Sequence, residues 1–550
     1  MAFNSGTGIT DHIAMLDKLT EVVTGRFLET VVVNAGGTGH AIGDIIEIDA
    51  TGSTSTILAQ LEVTSVAAGV IDGIRVYRSG VYTVDPTTTT ANAQSGTSGS
   101  GISATFDITM SAPVWAVNRR TQQAASAVIS AGGTGYVVGE LLTIDLAGVK
   151  GFHGVSAIFR VASLSGSAVA TLDLGTGSVV GNYEEVPTGA LTTTASASGT
   201  GCTLTVTWED GTKAENDHQM CMLEGEGLAG ADEIHVCIRP VTAVQGFDNS
   251  FNWGLIGMTG YNAGIPVHQQ VGVNSKAINI TTGDLPTVNT GSYVILKDDD
   301  ADPDMEWWIN WNGRRMIMVC KVEGSSSTFY ASMYLGFINQ FGTDTEYPYP
   351  LWLCGNYFKE DTLWTNTSEV VGGIVEVTCA SGASSSKPNG PGFLRHPDGT
   401  WNGHAGTSVG TTGTARAVSS NFSIYPFGNP PTQGQGINGT VGTSNGTMWQ
   451  AGSAMIPATG VPGVPGKRLK PTPGTGDPYY WLIAPILTKT DDTFPTDWQL
   501  FGEIDGVFWF STGDNGIVSE DRFVQDGKRY TIFANGNRTQ EWSYFALDED

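Results

Sequence analysis

The chain has 550 residues, of which 40% are hydrophobic and only 15% charged, and its formal net charge is −27. The hydrophobic fraction excludes a disordered acidic tail, and the length predicts several domains rather than one core. A chain this acidic repels phosphate groups, and it has no run of about 18 apolar residues, so we expect no nucleic-acid binding, no attachment to anionic membranes and no membrane insertion.

The first predicted element is an N-terminal helix within residues 1–26. Between Thr10 and Thr24, apolar residues recur at helical spacing, namely Ile13, Leu16, Leu19, Val22 and Val23. We expect Thr10 to cap this helix, Asp11 to lie in its first turn and Gly25 to end it. Its apolar stripe needs a partner, which is either the chain's own core or a neighbouring subunit. The start of the chain carries neither the basic nor the apolar segment of a signal peptide.

Residues 27–118 and 123–209 are predicted to be two copies of one unit. The phrase NAGGTGHAIGDIIEID begins at Asn34, and the phrase SAGGTGYVVGELLTID begins at Ser130. The match continues through GVYTVDPT and GNYEEVPT, which begin at Gly80 and Gly181. Strand-like runs alternate with glycine turns in both copies, which predicts two tandem small β-modules.

The repeated glycines predict a structural role rather than phosphate binding. Three glycines of each copy are expected to take positive φ in tight turns between strands: Gly36, Gly37, Gly39, Gly132, Gly133 and Gly135. Their spacing differs from the dinucleotide fingerprint, no Lys-Ser/Thr follows as in a P-loop, and the next residues form a strand pattern. His40 aligns with Tyr136, so we expect this position to need a flat ring rather than an imidazole ligand.

Aromatic residues become dense after about residue 210, which predicts the main core of the chain. We expect an aromatic-rich β core in residues 210–380, long ordered loops rich in Gly, Ser and Pro in residues 381–475, and a C-terminal β segment that completes the core in residues 476–550. The predicted fold is mainly β and multidomain, with two tandem small β-modules, a larger aromatic-rich β-sandwich-like core and one N-terminal helix.

Two groups of residues are candidates for binding or assembly. Closely spaced carboxylates predict a calcium site, with a solvated acidic turn as the alternative, at Asp298, Asp299, Asp300, Asp302 and Asp304. A second group combines arginines and tryptophans around an Asn-Gly turn, at Arg314, Arg315, Trp307 and Trp308. In so acidic a chain, these arginines are expected to meet a carboxylate, either within the chain or across an assembly interface.

The remaining reactive side chains follow no catalytic or zinc-site pattern. Six scattered cysteines are expected to be free buried thiols: Cys202, Cys221, Cys237, Cys320, Cys354 and Cys379. His396 and His404 flank Trp401 in a glycine-rich stretch and are expected to be satisfied polar residues. We therefore expect no cofactor and no enzymatic activity.

Several phrases, taken in order, resemble the virion structural proteins of tailed bacteriophages. They are GTGITDHIAMLDKLTEVVT near the start, LEGEGLAGADEIHVCIRP from Leu223, NWGLIGMTGY from Asn252, WWINWNGRRMIMVCKV from Trp307, FYASMYLGFINQFGTDTEYPYPL from Phe329, FGEIDGVFWFSTGDN from Phe501, and the end of the chain. The resemblance covers residues 1–25 and about 220–550, with the double module inserted between them. Gly-Gly-x-Gly-Tyr modules also recur in phage fibre and tail proteins.

The resemblance implies a virion location, on the particle surface or in the tail, for a protein made in the host cytoplasm. We expect a structural subunit of the tail (sheath, collar or appendage) that forms a symmetric homo-oligomer and contacts other virion tail proteins. Two alternatives stay open. One is a receptor-binding protein whose loops around residues 393–450 contact host surface glycans. The other is an enzyme that degrades surface polysaccharide.

Overall fold

The computed structural model describes residues 1–49, 52–145, 156–175, 177–211, 220–230, 233–241, 251–275, 277–283, 293–297, 304–323, 328–357, 371–372, 374, 392–403, 422–425, 470–471, 478–479, 482, 484–490, 498–510, 519–534 and 544–550. Within these residues the fold is mainly β, with many antiparallel strands and one α-helix. This confirms the predicted fold class. Most of the predicted loop region 381–475 lies outside the described residues.

The N-terminus forms a strand and then the predicted helix, β1 (Ala2–Ile9) and α1 (His12–Thr24). The prediction that Thr10 caps the helix is wrong, because Asp11 is the N-cap. Its Oδ1 accepts hydrogen bonds from the backbone N–H groups of Ile13 and Ala14, both at 2.8 Å. The negative charge of this carboxylate also interacts favourably with the positive N-terminal end of the helix dipole. The apolar stripe of α1 packs into the chain's own core, which decides between the two predicted partners.

The first module consists of eight strands: β2 (Phe27–Thr38), β3 (Ile45–Asp49), β4 (Thr54–Ile57), β5 (Gln60–Ala67), β6 (Val70–Arg78), β7 (Val81–Val84), β8 (Asn92–Thr97) and β9 (Ile102–Ser111). Six of them form an antiparallel sheet in the order β2-β9-β8-β3-β5-β6, and β4 pairs with β7. The two edge strands, β2 and β6, also contact each other, so the sheet curls around its own apolar core.

The second module repeats this sheet strand for strand. After β10 (Trp115–Arg120), its strands are β11 (Gln122–Thr134), β12 (Leu141–Ile144), β13 (Ile158–Ser165), β14 (Ala168–Asp173), β15 (Leu191–Ala195) and β16 (Thr200–Asp210). Their order, β11-β16-β15-β12-β13-β14, is that of the first module, and its edge strands β11 and β14 are again in contact. The repeated sequence therefore encodes a repeated fold.

The larger core contains the remaining strands: β17 (Cys221–Gly225), β18 (Ile234–Val241), β19 (Phe251–Met258), β20 (Tyr293–Lys297), β21 (Met305–Trp311), β22 (Arg315–Glu323), β23 (Thr328–Phe337), β24 (Asn339–Gln340), β25 (Leu351–Tyr357), β26 (Val371–Gly372), β27 (Gly392–Arg395), β28 (Trp401–Gly403), β29 (Phe422–Tyr425), β30 (Lys470–Pro471), β31 (Pro478–Tyr479), β32 (Ile486–Thr490), β33 (Trp498–Glu503), β34 (Val507–Phe510), β35 (Arg522–Gln525), β36 (Lys528–Ala534) and β37 (Tyr544–Asp548). A short 3-10 turn, Val267–Gln269, follows β19.

Three layers of sheet stack in this core. The central layer is an eight-stranded sheet, ordered β1-β21-β22-β23-β25-β27-β28 with β26 beside β25. One face, including Trp307 and Met318, packs against α1 and the five-stranded sheet β10-β17-β18-β19-β20. The other face, including Trp308 and Val319, packs against residues of the C-terminal sheets, such as Phe533. Burial on both faces explains why β21 and β22 read as continuous apolar runs rather than alternating ones.

Each module is a separate insertion into this core. The first leaves after α1 and returns before β10, and the second leaves after β10 and returns before β17. The entering and returning strands pair where they meet the core, at Phe27 with Ser111 and at Gln122 with Asp210. Strand β10 pairs with β17, so residues 115–118 join the core sheet, and their predicted place in the first copy is wrong.

Candidate functional site

Each module carries three loops at the end opposite to its attachment to the core. We call this the loop end: residues 38–44, 67–70 and 97–102 in the first module, and 134–140, 165–168 and 195–200 in the second. Backbone hydrogen bonds join the loops in the same way in both copies. The His40 N–H donates to the Gly69 carbonyl and the Tyr136 N–H to the Ser167 carbonyl, both at 3.0 Å. The 12-residue strand β2 runs from the core at Phe27 to this loop end at Thr38.

The predicted glycines lie at these loop ends, but only some of them have the predicted conformation. Gly37 and Gly39 have φ of 59° and 78°, and Gly133 and Gly135 have φ of 61° and 80°, as predicted. The prediction is wrong for two glycines, Gly36 and Gly132, which lie inside β2 and β11 without positive φ.

Gly36 and Gly132 are needed for close packing instead. At each position the long strand crosses the opposite edge strand of its own module. A Cβ on Gly36 would overlap the carbonyl oxygen of Ile71, and a Cβ on Gly132 would lie 2.8 Å from the carbonyl oxygen of Val169. These glycines therefore allow the two edge strands of each sheet to approach one another.

A buried ring fills the inside of each loop end, as the alignment of His40 with Tyr136 predicts. Both rings lie under glycines, because a Cβ on Gly101 would overlap the His40 ring and a Cβ on Gly199 would overlap the Tyr136 ring. The Tyr136 hydroxyl accepts a hydrogen bond from the Cys202 N–H at 2.9 Å. The position thus needs a flat ring in both modules.

A single carboxylate at each loop end is occupied by backbone hydrogen bonds. Glu140 is 3% exposed and accepts from the N–H groups of Val137, Ala197 and Gly199 at 3.0–3.1 Å. Its counterpart Asp44 accepts from the Ala41 N–H at 2.9 Å. The Glu140 bonds join loop 134–140 to loop 195–200, and the Asp44 bond closes the turn within loop 38–44, so the surface of each loop end consists largely of backbone and small side chains.

The predicted calcium site falls mainly outside the described residues. Asp298, Asp299, Asp300 and Asp302 lie there, and only Asp304 is described, with its side chain exposed. In the described part of the chain, no group of three or more His, Cys, Asp or Glu residues could hold a metal ion. The calcium site stays a prediction. A calcium titration that releases no heat and leaves the melting temperature of the protein unchanged would contradict it.

The second predicted group lies inside the core rather than on its surface. Arg315 is fully buried, and Trp307 and Trp308 are nearly so, which leaves these three side chains no surface for a subunit contact. The assembly-interface prediction is therefore wrong for them. Arg314 is half-buried and donates to the Ile338 carbonyl at 3.3 Å.

Arg315 meets the predicted carboxylate within the chain. Its Nε donates to Oδ2 of Asp505 at 3.0 Å, and its Nη1 donates to Oδ1 of Asn310. Burial alone would raise the pKa of Asp505, but the charge of Arg315 and hydrogen bonds from Asn339, Arg315 and Asn312 outweigh it and lower that pKa. The pair joins the β21–β22 hairpin to the turn before β34.

The cysteine prediction is confirmed for five residues. Cys202, Cys221, Cys237, Cys320 and Cys354 are free and buried, and Cys379 lies outside the described residues. Burial raises the pKa of all five thiols, that of Cys221 to about 11, so they are poor nucleophiles at neutral pH. His396 is buried and stacks on Phe501 with ring centroids 5.0 Å apart, whereas His404 lies outside the described residues.

Two buried arginines that sequence reasoning missed, Arg119 and Arg529, fasten the modules to the core through ion pairs. At the second module, Arg119 pairs with Glu184 at 3.1 Å and donates to the carbonyls of Ala263 and Ile265. Burial raises the pKa of Glu184, against the opposing effects of the Val267 N–H and of Arg119.

At the first module, Arg529 of β36 pairs with Glu549 and with Glu62 of β5, and donates to the Tyr77 carbonyl at 3.0 Å. Its partner in the module is more than 450 residues away in sequence. No local motif marks partners this distant, which is why the sequence alone does not indicate either pair.

Comparison with known proteins adds no family to this description, because no protein-family model and no curated protein matches the chain. Among the described residues, no helix is both long enough and apolar enough to cross a membrane.

Proposed function

We propose that this chain is a structural, non-enzymatic subunit of a bacteriophage tail, in a sheath, collar or appendage, and that it assembles as a symmetric homo-oligomer. The proposal starts from the ordered phrases that resemble phage virion proteins. In the fold, the segments beginning at Leu223, Asn252, Trp307 and Phe329 contribute strands to one layered core, and the N-terminal phrase contributes α1.

The observation that carries the proposal is how the modules join this core. Both are complete small sheets whose chain enters and leaves at one end, so each module extends from the subunit as a separate unit. The buried arginines Arg119 and Arg529 link the modules to the core through Glu184 and Glu62. A core that carries rigid projections suits a subunit whose role is to occupy a fixed place in a particle and present the projections to its neighbours.

The charge of the chain fits the same role. With 54 acidic and 27 basic side chains, free copies repel one another and repel the packaged genome. Association then depends on surfaces that lack this charge, which limits contacts to specific places on the subunit.

The proposal is tested with purified phage particles and with a deletion of the gene. Mass spectrometry of the particles should detect this chain in many copies, and the deletion should yield heads that lack a complete tail. Particles free of the chain, or complete and infectious tails after the deletion, would overturn the proposal. Intact tails that no longer adsorb to cells would indicate receptor binding instead.

A further inference from the structure

The two loop ends expose aliphatic side chains to solvent. In the first module Ile42 is 68% exposed and Ile102 is 62% exposed. In the second module Val138, the counterpart of Ile42, is 59% exposed, and its neighbour Val137 is 53% exposed. Because both copies place an exposed aliphatic residue at the same position of the same turn, the exposure is a property of the shared architecture rather than of one irregular loop.

The loop ends also carry little exposed charge, which distinguishes them from the rest of this acidic chain. Apart from His40, whose ring is buried, each set of loops contains one ionisable side chain that could carry charge at neutral pH, Asp44 or Glu140. Those carboxylates accept backbone hydrogen bonds, as described above. The remaining residues are Gly, Ala, Ser, Thr, Val and Ile, with the Tyr136 ring buried.

We propose that the loop end of the first module of one copy docks on the loop end of the second module of another copy. The charge distribution of the chain is the reason for proposing a second copy as the binding partner. Two copies with a net charge of −27 approach most readily where they present least charge, and each loop end has a single carboxylate that is largely buried and held by backbone hydrogen bonds. A sugar ligand would instead need aromatic faces and hydrogen-bonding side chains, whereas the exposed side chains here are aliphatic.

The duplication gives each copy two such ends, so every subunit contacts two neighbours through one repeated junction. A contact of this head-to-tail kind closes into a ring or continues as a helix. Each loop end has fewer residues than the roughly 20–30 per side of a standard interface, so a single junction is weak and the assembly gains its stability from closure. This inference rests on the proposed function, which includes a homo-oligomer, and it adds the surfaces through which the copies contact one another.

The test uses the full chain with a carboxylate placed at one loop end or the other. Ile42→Asp disables the end of the first module, and Val138→Asp disables that of the second. Matched controls are Val32→Asp and Val128→Asp, because these valines are 63% and 68% exposed but lie in the middle of β2 and β11. Sedimentation velocity over a range of concentrations gives the mass of each variant, and circular dichroism checks that each is folded.

We expect wild type and both controls to form concentration-dependent oligomers, and each loop-end variant alone to associate at least tenfold more weakly. A mixture of Ile42→Asp with Val138→Asp should form dimers and nothing larger, since each variant keeps one end that fits the other. Loop-end variants that assemble like wild type would overturn the inference while leaving the proposed homo-oligomer intact.

Other outcomes overturn the inference in ways that separate it from the proposed function. Controls that dissociate as strongly as the loop-end variants would show that the effect is not specific to the loop ends. A wild-type chain that is monomeric at every concentration would overturn both this inference and the proposed self-assembly. If such a monomer bound host cells and the loop-end variants did not, the occupant would be a host surface group.

Discussion

At the scale of single residues, Arg315 shows how the core uses charge. Its guanidinium is enclosed so tightly that a Cβ on Gly506 would overlap it. Asp505 and Asn310 satisfy its donors, and Asn310 in turn donates to the Asp548 carbonyl at 2.8 Å. The network joins the central sheet to the C-terminal sheet, so its loss should affect folding rather than assembly alone.

We expect Arg315→Ala to lower the free energy of unfolding of the core by about 3–5 kcal/mol, because it leaves Asp505 without its main partner. The urea midpoint, followed by tryptophan fluorescence, measures the change. Arg314→Ala is the matched control and should cost less than about 1 kcal/mol, because that side chain is only half-buried and makes longer hydrogen bonds. Equal effects of the two substitutions would contradict this assignment.

The pH dependence of the same variant follows from the direction of the Asp505 pKa. A carboxyl whose folded pKa is lowered stabilises the fold above its unfolded pKa of about 3.9, and this contribution is lost as the pH falls through the folded pKa. The destabilisation by Arg315→Ala should therefore be full above about pH 5 and should shrink below about pH 4. Urea midpoints of both proteins above about pH 5 and below about pH 4 test it, and a constant difference would show that Asp505 is not involved.

At the scale of elements, the attachments of the modules to the core decide how rigidly the modules project. Arg119 and Arg120 are adjacent in β10 but differ in surroundings. Arg119 is buried with Glu184 and two carbonyl groups, whereas Arg120 pairs with Asp17, whose side chain is 48% exposed.

We expect Arg119→Met to loosen the second module, because Glu184 would stay buried without its ion-pair partner. Hydrogen exchange should speed up at residues 121–124, 179–184 and 263–267 by roughly tenfold or more. Arg120→Met, the neighbouring control, should change exchange little, since exposed ion pairs contribute about 0–1 kcal/mol. Unchanged exchange in Arg119→Met would show that backbone pairing alone holds the module.

The sequence predicts the elements whose signals are local and misses those that depend on distant partners. The duplicated modules and the helix α1 follow from repetition and apolar spacing. Strand β1 is not predicted, because AFNSGTGI shows no apolar alternation and its partner β21 lies about 300 residues away. The place of strand β10 in the core is not predicted either, because its partners are also distant in sequence. It pairs with β17, and the Nε1 of its Trp115 donates to the Asn312 carbonyl.

The candidate site also has features that the sequence predicts and features that it does not. The glycines and the flat ring at each loop end are predictable, since two copies can be compared position by position. The burial of Trp307, Trp308 and Arg315 is not, because an aromatic run next to arginines is equally typical of an interface and of a core strand. Trp308 and Arg315 are covered by the third layer of sheet, which the C-terminal residues contribute, whereas Trp307 is covered by α1 and the five-stranded sheet on the opposite face.

At the scale of the whole molecule, the charge of −27 should control self-association. We expect the association constant of the wild-type chain to rise roughly tenfold or more between low and moderate ionic strength, because salt screens repulsion between like-charged copies. Sedimentation velocity at about 20 mM and about 300 mM salt measures it. Weaker association at higher salt would mean that ion pairs hold the copies together, contrary to uncharged docking at the loop ends.

The most direct test of a tail subunit with projecting modules is immunogold electron microscopy of intact particles, with antibodies against residues 27–209. We expect gold in a ring around the tail at a fixed height. Gold only at distal tips would indicate receptor binding, and gold over the head would indicate a capsid decoration protein. Either pattern, or no labelling at all, would contradict a tail subunit whose modules face outward.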